Sequence, residues 1–384
     1  MRAVLCGILV VCLALVGCSG GGKSDTVKVG WFGPLTGDNA LWGQSELNTV
    51  KMMFEDFNAK GGIEVGGKKY KLEVIGYDDK GDGTEAVNVA KRLTSQDKVV
   101  AVLGPNGSGE AIPVAPIMNE AKVPLIATVA TNPKVTVRED GTLNKFMFRD
   151  CFIDPYQGAV AATYAYEKLG KRKAAIFMSV DDQYSAGLTQ YFEETFTKLG
   201  GKVVEKVSFT SGEKEFRAPL TKIKAADPDI IFSPNYYTDV SLSAKQAREL
   251  GIKCIMMGGD GWPSDNLIPL AGDALEGSYC VNHLDFEDPA VKPFKDAYTA
   301  KYKIPPELNG YMVHDAVVML VDAMQRAKSF DGTKLAEALE SCDVQGITGR
   351  IKINPATHNP EGKEAAMLKI VGPKLVFVEK FAAK

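Results

Sequence analysis

Ser108 and Thr131 are the two hydroxyls whose setting in this chain best suits binding chemistry. Each follows a short apolar β-run, Val99–Leu103 for the first and Pro124–Ala127 for the second. Each sits in a tail of small polar residues, Gly104-Pro105-Asn106-Gly107-Ser108-Gly109 and Thr128-Val129-Ala130-Thr131-Asn132. A helical run starts near Gly107. In a parallel α/β sheet the carboxyl ends of neighbouring strands lie side by side, and ligands sit in the crevice outside them. Two hydroxyls and several free backbone N–H groups beside a helix N-terminus would hold a small anion such as a carboxylate without a fixed cation. The plain alternative is that both residues cap helices in ordinary βα loops.

Such loops need strands and helices to hold them, and the chain supplies both in alternation. A strand Val27–Gly33 leads to a long helix, about Leu41 to Ala59, whose Leu47, Val50, Met53, Phe54 and Phe57 recur at helical spacing. Lys68–Asp78 reads as a half-exposed strand and Thr84–Ser95 as the next helix. A second series opens near Asp154: helix Tyr156–Leu169, strand Ala174–Ser179, helix Gln183–Leu199, strand Lys202–Phe209 and helix Phe216–Ala225. It continues through strand Ile230–Phe232, helix Val240–Leu250 and strand Cys254–Met257. The third section carries three helices, Pro289–Lys303, Leu308–Lys328 and Thr333–Ser341, and then short strands. Strands alternating with helices predict parallel, doubly wound sheets. At 384 residues one core normally splits, and no disordered linker separates the sections, so two lobes sharing crossovers are expected.

The start of the chain bears on its destination. Arg2, an apolar run Ala3–Gly17 and Leu15-Val16-Gly17-Cys18 predict a secretory leader over 1–17, cleaved before a lipid-bearing Cys18. The Gly/Ser-rich stretch after it reads as a flexible tether, 18–26. The run is too short to span a membrane. Lys plus Arg number 45 and Asp plus Glu 48, scattered and nearly balanced, which argues against a nucleic-acid partner. Cys151, Cys254, Cys280 and Cys342 form no C-x-x-C and have no histidine at metal-ligand spacing, so no metal is expected. Cys254 with Cys280 is the pairing favoured for a disulfide, since both close β-runs of one region.

The ordered motifs resemble a known family. They run Gly33-Pro34-Leu35-Thr36-Gly37, Trp42-Gly43, Asn58-Ala59-Lys60-Gly61-Gly62-Ile63, Tyr77-Asp78-Asp79, Val102-Leu103-Gly104-Pro105 and Val123-Pro124-Leu125-Ile126. Arg149-Asp150, Asp182-Gln183-Tyr184-Ser185-Ala186-Gly187, Gly258-Gly259-Asp260-Gly261 and His314-Asp315-Ala316 follow. Over essentially all of the exported chain this is similar to the leucine/isoleucine/valine-binding proteins of ABC transporters. The resemblance implies a type I periplasmic-binding-protein clamshell, each lobe a parallel doubly wound sheet flanked by helices, with three hinge crossovers. One lobe would take 27–149 plus about 282–350, the other 150–281 plus about 351–384. The implied protein is a monomeric receptor without cofactor that closes on an amino acid and delivers it to a membrane permease. Its location would be the cell envelope, anchored by lipid on Cys18.

Carried over residue by residue, the resemblance puts the carboxylate on Ser108 and Thr131, with the backbone of Val129 and Ala130 beside them. The ammonium falls on Asp260, where the branched-chain binders carry a Glu, and helix capping before Pro263 is the alternative for that residue. Tyr184 would pack over the ligand, Tyr236 or Tyr237 would donate a second hydroxyl, and Trp42 would wall the side-chain pocket. The bulk of Trp42 argues for a small or slim aliphatic side chain. His314, one turn from Tyr311, is expected to be structural rather than a pH-sensitive contact.

Enzymes and ligand sensors are the competing classes. Position 106 is Asn, so Ser108 lies in no G-x-S-x-G, and there is neither a G-x-x-x-x-G-K-[ST] nor an H-E-x-x-H. Gly81-Asp82-Gly83 lacks the third glycine of a dinucleotide site. A cytoplasmic sensor has no use for a lipidated cysteine. A receptor on the same fold for an amide, urea or aromatic acid is the remaining alternative.

Overall fold

Strand β1 (Thr26–Gly33) carries apolar side chains on both faces, with Val29, Trp31 and Phe32 fully buried. Such a strand belongs inside a sheet covered by helices on both sides. The structure, a computed structural model, describes residues 25–383. The leader, Cys18 and the tether up to Ser24 lie outside the described residues.

The first sheet joins β1, β2 (Ile63–Val65), β3 (Lys68–Asp78), β4 (Val102–Leu103), β5 (Leu125–Ala127) and β6 (Met147–Arg149), in the order β2-β3-β1-β4-β5-β6. The second contains β7 (Lys173–Ser179), β8 (Lys202–Phe209), β9 (Ile230–Phe232), β10 (Ile255–Gly258) and β11 (Tyr279–Asn282). A small sheet of β12 (Asp343–Gly346), β13 (Gly349–Ile353) and β14 (Pro360–Glu361) follows. The last strands, β15 (Ala365–Val371) and β16 (Lys374–Phe381), complete the second sheet in the order β16-β15-β11-β10-β9-β7-β8. The inner strands of both large sheets are parallel, as expected. Their edges differ: β2 runs antiparallel to β3, and β15 and β16 antiparallel to their neighbours. The turn at Gly66-Gly67, both at positive φ, reverses the chain too tightly for a parallel return.

The chain passes between the two lobes three times, after β6, after β11 and between β14 and β15. The last passage comes later than the 350/351 boundary read from sequence. Ile351 and Ile353 belong to the first lobe's core, and the His358 ring stacks on Phe148 of β6 at 4.0 Å. Helix Leu308–Ala327 packs Val313, Ala316, Val317 and Leu320 into the same core. Helix Lys292–Tyr302 lies at the hinge, where Phe294 and Tyr298 pack with Cys151, Leu284 and Tyr311.

All four cysteines among the described residues are free, so the Cys254–Cys280 pairing is incorrect. Register gives the reason. Gly258 sits opposite Cys280, which leaves Cys254, the residue before β10, four residues back along the chain. At strand rise that is about 13 Å, beyond the reach of a disulfide.

Candidate functional site

Leu103 pairs with Ile126, so the loops that leave β4 and β5 start side by side. Ser108 opens helix Ser108–Ala121, preceded by extended Gly107, and its Oγ accepts the backbone N–H of Asn132 at 3.2 Å. Thr131 is fully buried, and its Oγ1 makes no well-formed hydrogen bond. The Asp154 carboxyl beside it is pushed well above the ordinary carboxylate range by burial.

Two buried side chains that spacing did not single out for this role hold the Thr128–Asn132 loop. Arg149 is fully buried and donates from Nη1 to the Ala130 carbonyl at 2.6 Å and from Nη2 to the Asn132 carbonyl at 2.8 Å. Beneath the loop, Glu46 accepts from Thr128 Oγ1 at 2.5 Å and from Trp31 Nε1 at 3.2 Å. Burial pushes the Glu46 carboxyl up to about 8, so it stays protonated at neutral pH. The folded protein therefore keeps a proton that the unfolded chain releases above the ordinary value of 4.5. The associated stability is full below pH 4.5 and declines up to about pH 8. Melting temperature should fall between pH 5 and pH 8, and Glu46→Gln should flatten that slope by roughly one proton's worth. Calorimetric scans of both proteins check this; equal slopes would refute it.

The second lobe contributes from the carboxyl ends of β7, β9 and β10. Helix Gln183–Lys198 starts on Asp182, whose side chain accepts the Ser185 N–H at 2.7 Å. Phe192 of this helix stacks on Phe232 of β9 at 3.8 Å, which sets the height of Tyr184 in its first turn. The Tyr184 hydroxyl accepts the Gly261 N–H at 3.1 Å, and its ring stacks on Tyr236 with centroids 5.3 Å apart. Gly259 permits this approach, because a Cβ there would lie 2.3 Å from Gln157 Oε1 and 2.6 Å from the Tyr184 hydroxyl.

Asp260 caps no helix, since the next one starts only at Leu267. Its Oδ2 lies 2.8 Å from His283 Nε2, both side chains are within 2% of full burial, and its Oδ1 has no partner. Burial holds the His283 imidazole below its ordinary value, so the ring is neutral at neutral pH. His283 stacks on Phe152 at 3.7 Å, at the first hinge passage. No local spacing in the sequence ties His283 to residue 260; the fold alone brings them together.

The lobes meet over these groups. Trp42 donates from Nε1 to the Pro263 carbonyl at 3.3 Å and packs edge-on against Tyr236 and Tyr237 at 5.4 and 5.1 Å. Asn132 Nδ2 donates to the Gln183 carbonyl at 2.8 Å, and Lys214 pairs with Asp38 at 2.7 Å. A cavity of about 20 Å³ lies between the lobes, bounded by Trp42, Asn106, Val129, Tyr184, Tyr236 and Asp260. That volume admits one water, so anything of amino-acid size enters only when the lobes part. Ser108, Ala130 and Thr131 do not line it, but they stand on the same two loops as Asn106 and Val129. Tyr237 does not face it: its hydroxyl donates to the Asp38 carbonyl across the cleft, a clasp between lobes. His314 pairs with Asp315 at 2.9 Å against Phe294, away from the cavity.

Known proteins share this architecture over nearly the whole chain. Residues 26–371 match the family model described as periplasmic binding protein. An "Amino acid binding protein" of Pseudomonas aeruginosa is 34% identical over 351 residues, 90% of each chain. The structure of leucine binding protein LivK from Thermotoga maritima superposes with a TM-score of 0.84 at 32% identity, covering 93% of this chain and 99% of that one. The branched-chain amino acid transporter substrate binding protein LivJ from Streptococcus pneumoniae, in complex with isoleucine, gives 0.83 at 29% identity, covering 93% and 100%. With two lobes, three crossings and a cleft lined from strand carboxyl ends, the chain belongs to the periplasmic binding protein family, whose members are solute receptors and not enzymes.

Proposed function

We propose that this receptor captures one small L-amino acid between its lobes and delivers it to the permease of an ABC transporter. The single observation that carries the reading is Asp260 Oδ1, buried, without a partner and at the wall of the interlobe cavity. A buried anion with a free oxygen suits an ammonium. On the opposite lobe, Ser108, Thr131 and the backbone of Val129 and Ala130 stand at a helix N-terminus, which suits a carboxylate. Trp42, Tyr184 and Tyr236 close over the remainder. Relatives named for amino acids and for leucine, and a neighbour in complex with isoleucine, support this choice. A ligand touching both lobes stabilises the closed form through contacts that the open form cannot make.

Isothermal titration with the twenty amino acids is expected to give saturable heat with one of them or a small group. A response confined to organic acids without an amino group would overturn the ammonium assignment. The reading also places the mature protein on a membrane through lipid on Cys18. Intact mass of membrane-extracted protein should show cleavage before Cys18 and an acylated cysteine, and an unmodified Cys18 would refute the anchor.

A further inference from the structure

Asp260 Oδ1 is not the sole unpartnered polar atom on the cavity wall. Asn106 is 8% exposed, its Nδ2 has no hydrogen-bond partner, and it lines the 20 Å³ cavity between the lobes. It also lines a second cavity of about 380 Å³, which shares Trp42 and Tyr236 with the first and continues the cleft outward. Asn39 Oδ1 on that outer wall is likewise unpartnered, and the wall carries Asp38, Glu110, Asp182 and Asp239. One stranded donor and one stranded acceptor therefore stand along the cleft that leads outward from the inner cavity. The Trp42 N–H cannot serve there, because it is committed to the Pro263 carbonyl.

Resting on the amino-acid reading above, we propose that Asn106 determines specificity, selecting an amino acid whose side chain bears a neutral hydroxyl or carboxamide over an aliphatic one. An aliphatic side chain packed against Asn106 would seal the amide from water without supplying an acceptor, and an unmet buried donor is costly. A hydroxyl or carboxamide oxygen accepts from Nδ2, and a carboxamide N–H₂ also offers a donor toward Asn39. Sites built to hydrogen-bond a polar side chain discriminate strongly against the analogue that lacks it. This departs from the slim aliphatic side chain inferred from the bulk of Trp42.

Near-isosteric pairs test the proposal directly: threonine against valine, and asparagine or glutamine against leucine, titrated into the full-length protein. The polar member of at least one pair should bind roughly 10-fold tighter or more. Asn106→Leu should abolish or invert that ratio, and Asn106→Ala provides a smaller truncation should the leucine variant not fold. Tighter binding of valine and leucine than of their polar partners overturns the inference and leaves the amino-acid reading standing. So does a preference for lysine or arginine, which would assign the outer wall to the carboxylates. Equal weakening of every amino acid by both variants also overturns it, since Asn106 would then be holding the shared carboxylate. Absence of binding by any amino acid overturns the amino-acid reading and this inference with it.

Discussion

Asp260→Ala is expected to weaken amino-acid binding by more than ~100-fold, the largest single-residue effect in the cleft. The Asp260 side chain is about 2% exposed and lines the interlobe cavity, with Oδ2 against His283 and Oδ1 unpartnered. Removing it leaves a buried ammonium without a counter-ion, a loss of roughly 3–5 kcal/mol. Ser108→Ala should cost less, because a hydroxyl at a helix N-terminus is one of several donors there. Asp260→Asn preserves shape while removing charge, so it separates the two contributions. Small-angle scattering should show ligand-induced compaction of the parent and little in the Asp260 variant at the same ligand concentration. An Asp260→Ala protein that binds within a few-fold of the parent would place the ammonium elsewhere and cancel the site map.

The second large effect is on stability. Arg149→Met should destabilise the protein by roughly 3 kcal/mol or more, since charged hydrogen bonds and buried, suddenly unmet acceptors are both lost. Three acceptors are concerned: the Ala130 and Asn132 carbonyls and, at 3.3 Å, Thr136 Oγ1. For a protein of this size that corresponds to about 4 °C in melting temperature. Because Arg149 holds the loop carrying Val129, Ala130 and Thr131, the variant should also bind ligand more weakly even where it remains folded. A melting temperature unchanged within a degree would show that the loop keeps its shape without the guanidinium. Arg149 and Asp260 lie on opposite lobes, so their effects on stability should add.

Elements and their order were readable from residue types because they arise from local periodicity. Helix Ala40–Ala59, strand Lys202–Phe209 and helix Leu308–Ala327 lie within a residue or so of their expected bounds. The pairing of Ser108 with the Thr131 loop was equally legible, since consecutive βα units of a parallel sheet must open at one edge. Other features depended on distances along the chain that no spacing encodes. Tyr236 and Tyr237 are adjacent, yet only the folded cleft shows that the first walls the cavity and the second clasps Asp38, 199 residues away in sequence. Trp42 meets Pro263 across 221 residues, and Asp260 finds His283 across 23, just past the end of a neighbouring strand. Cys254 and Cys280 looked paired by region and are parted by register. Asn106 read as one more small polar loop residue, and burial without a partner is what distinguishes it. Local propensity and pattern determine which segments become strands and helices. Which polar atoms are left unpaired is decided only when remote segments exclude water together, and Asp260 Oδ1 and Asn106 Nδ2, on which the proposed ligand contacts rest, are two of them.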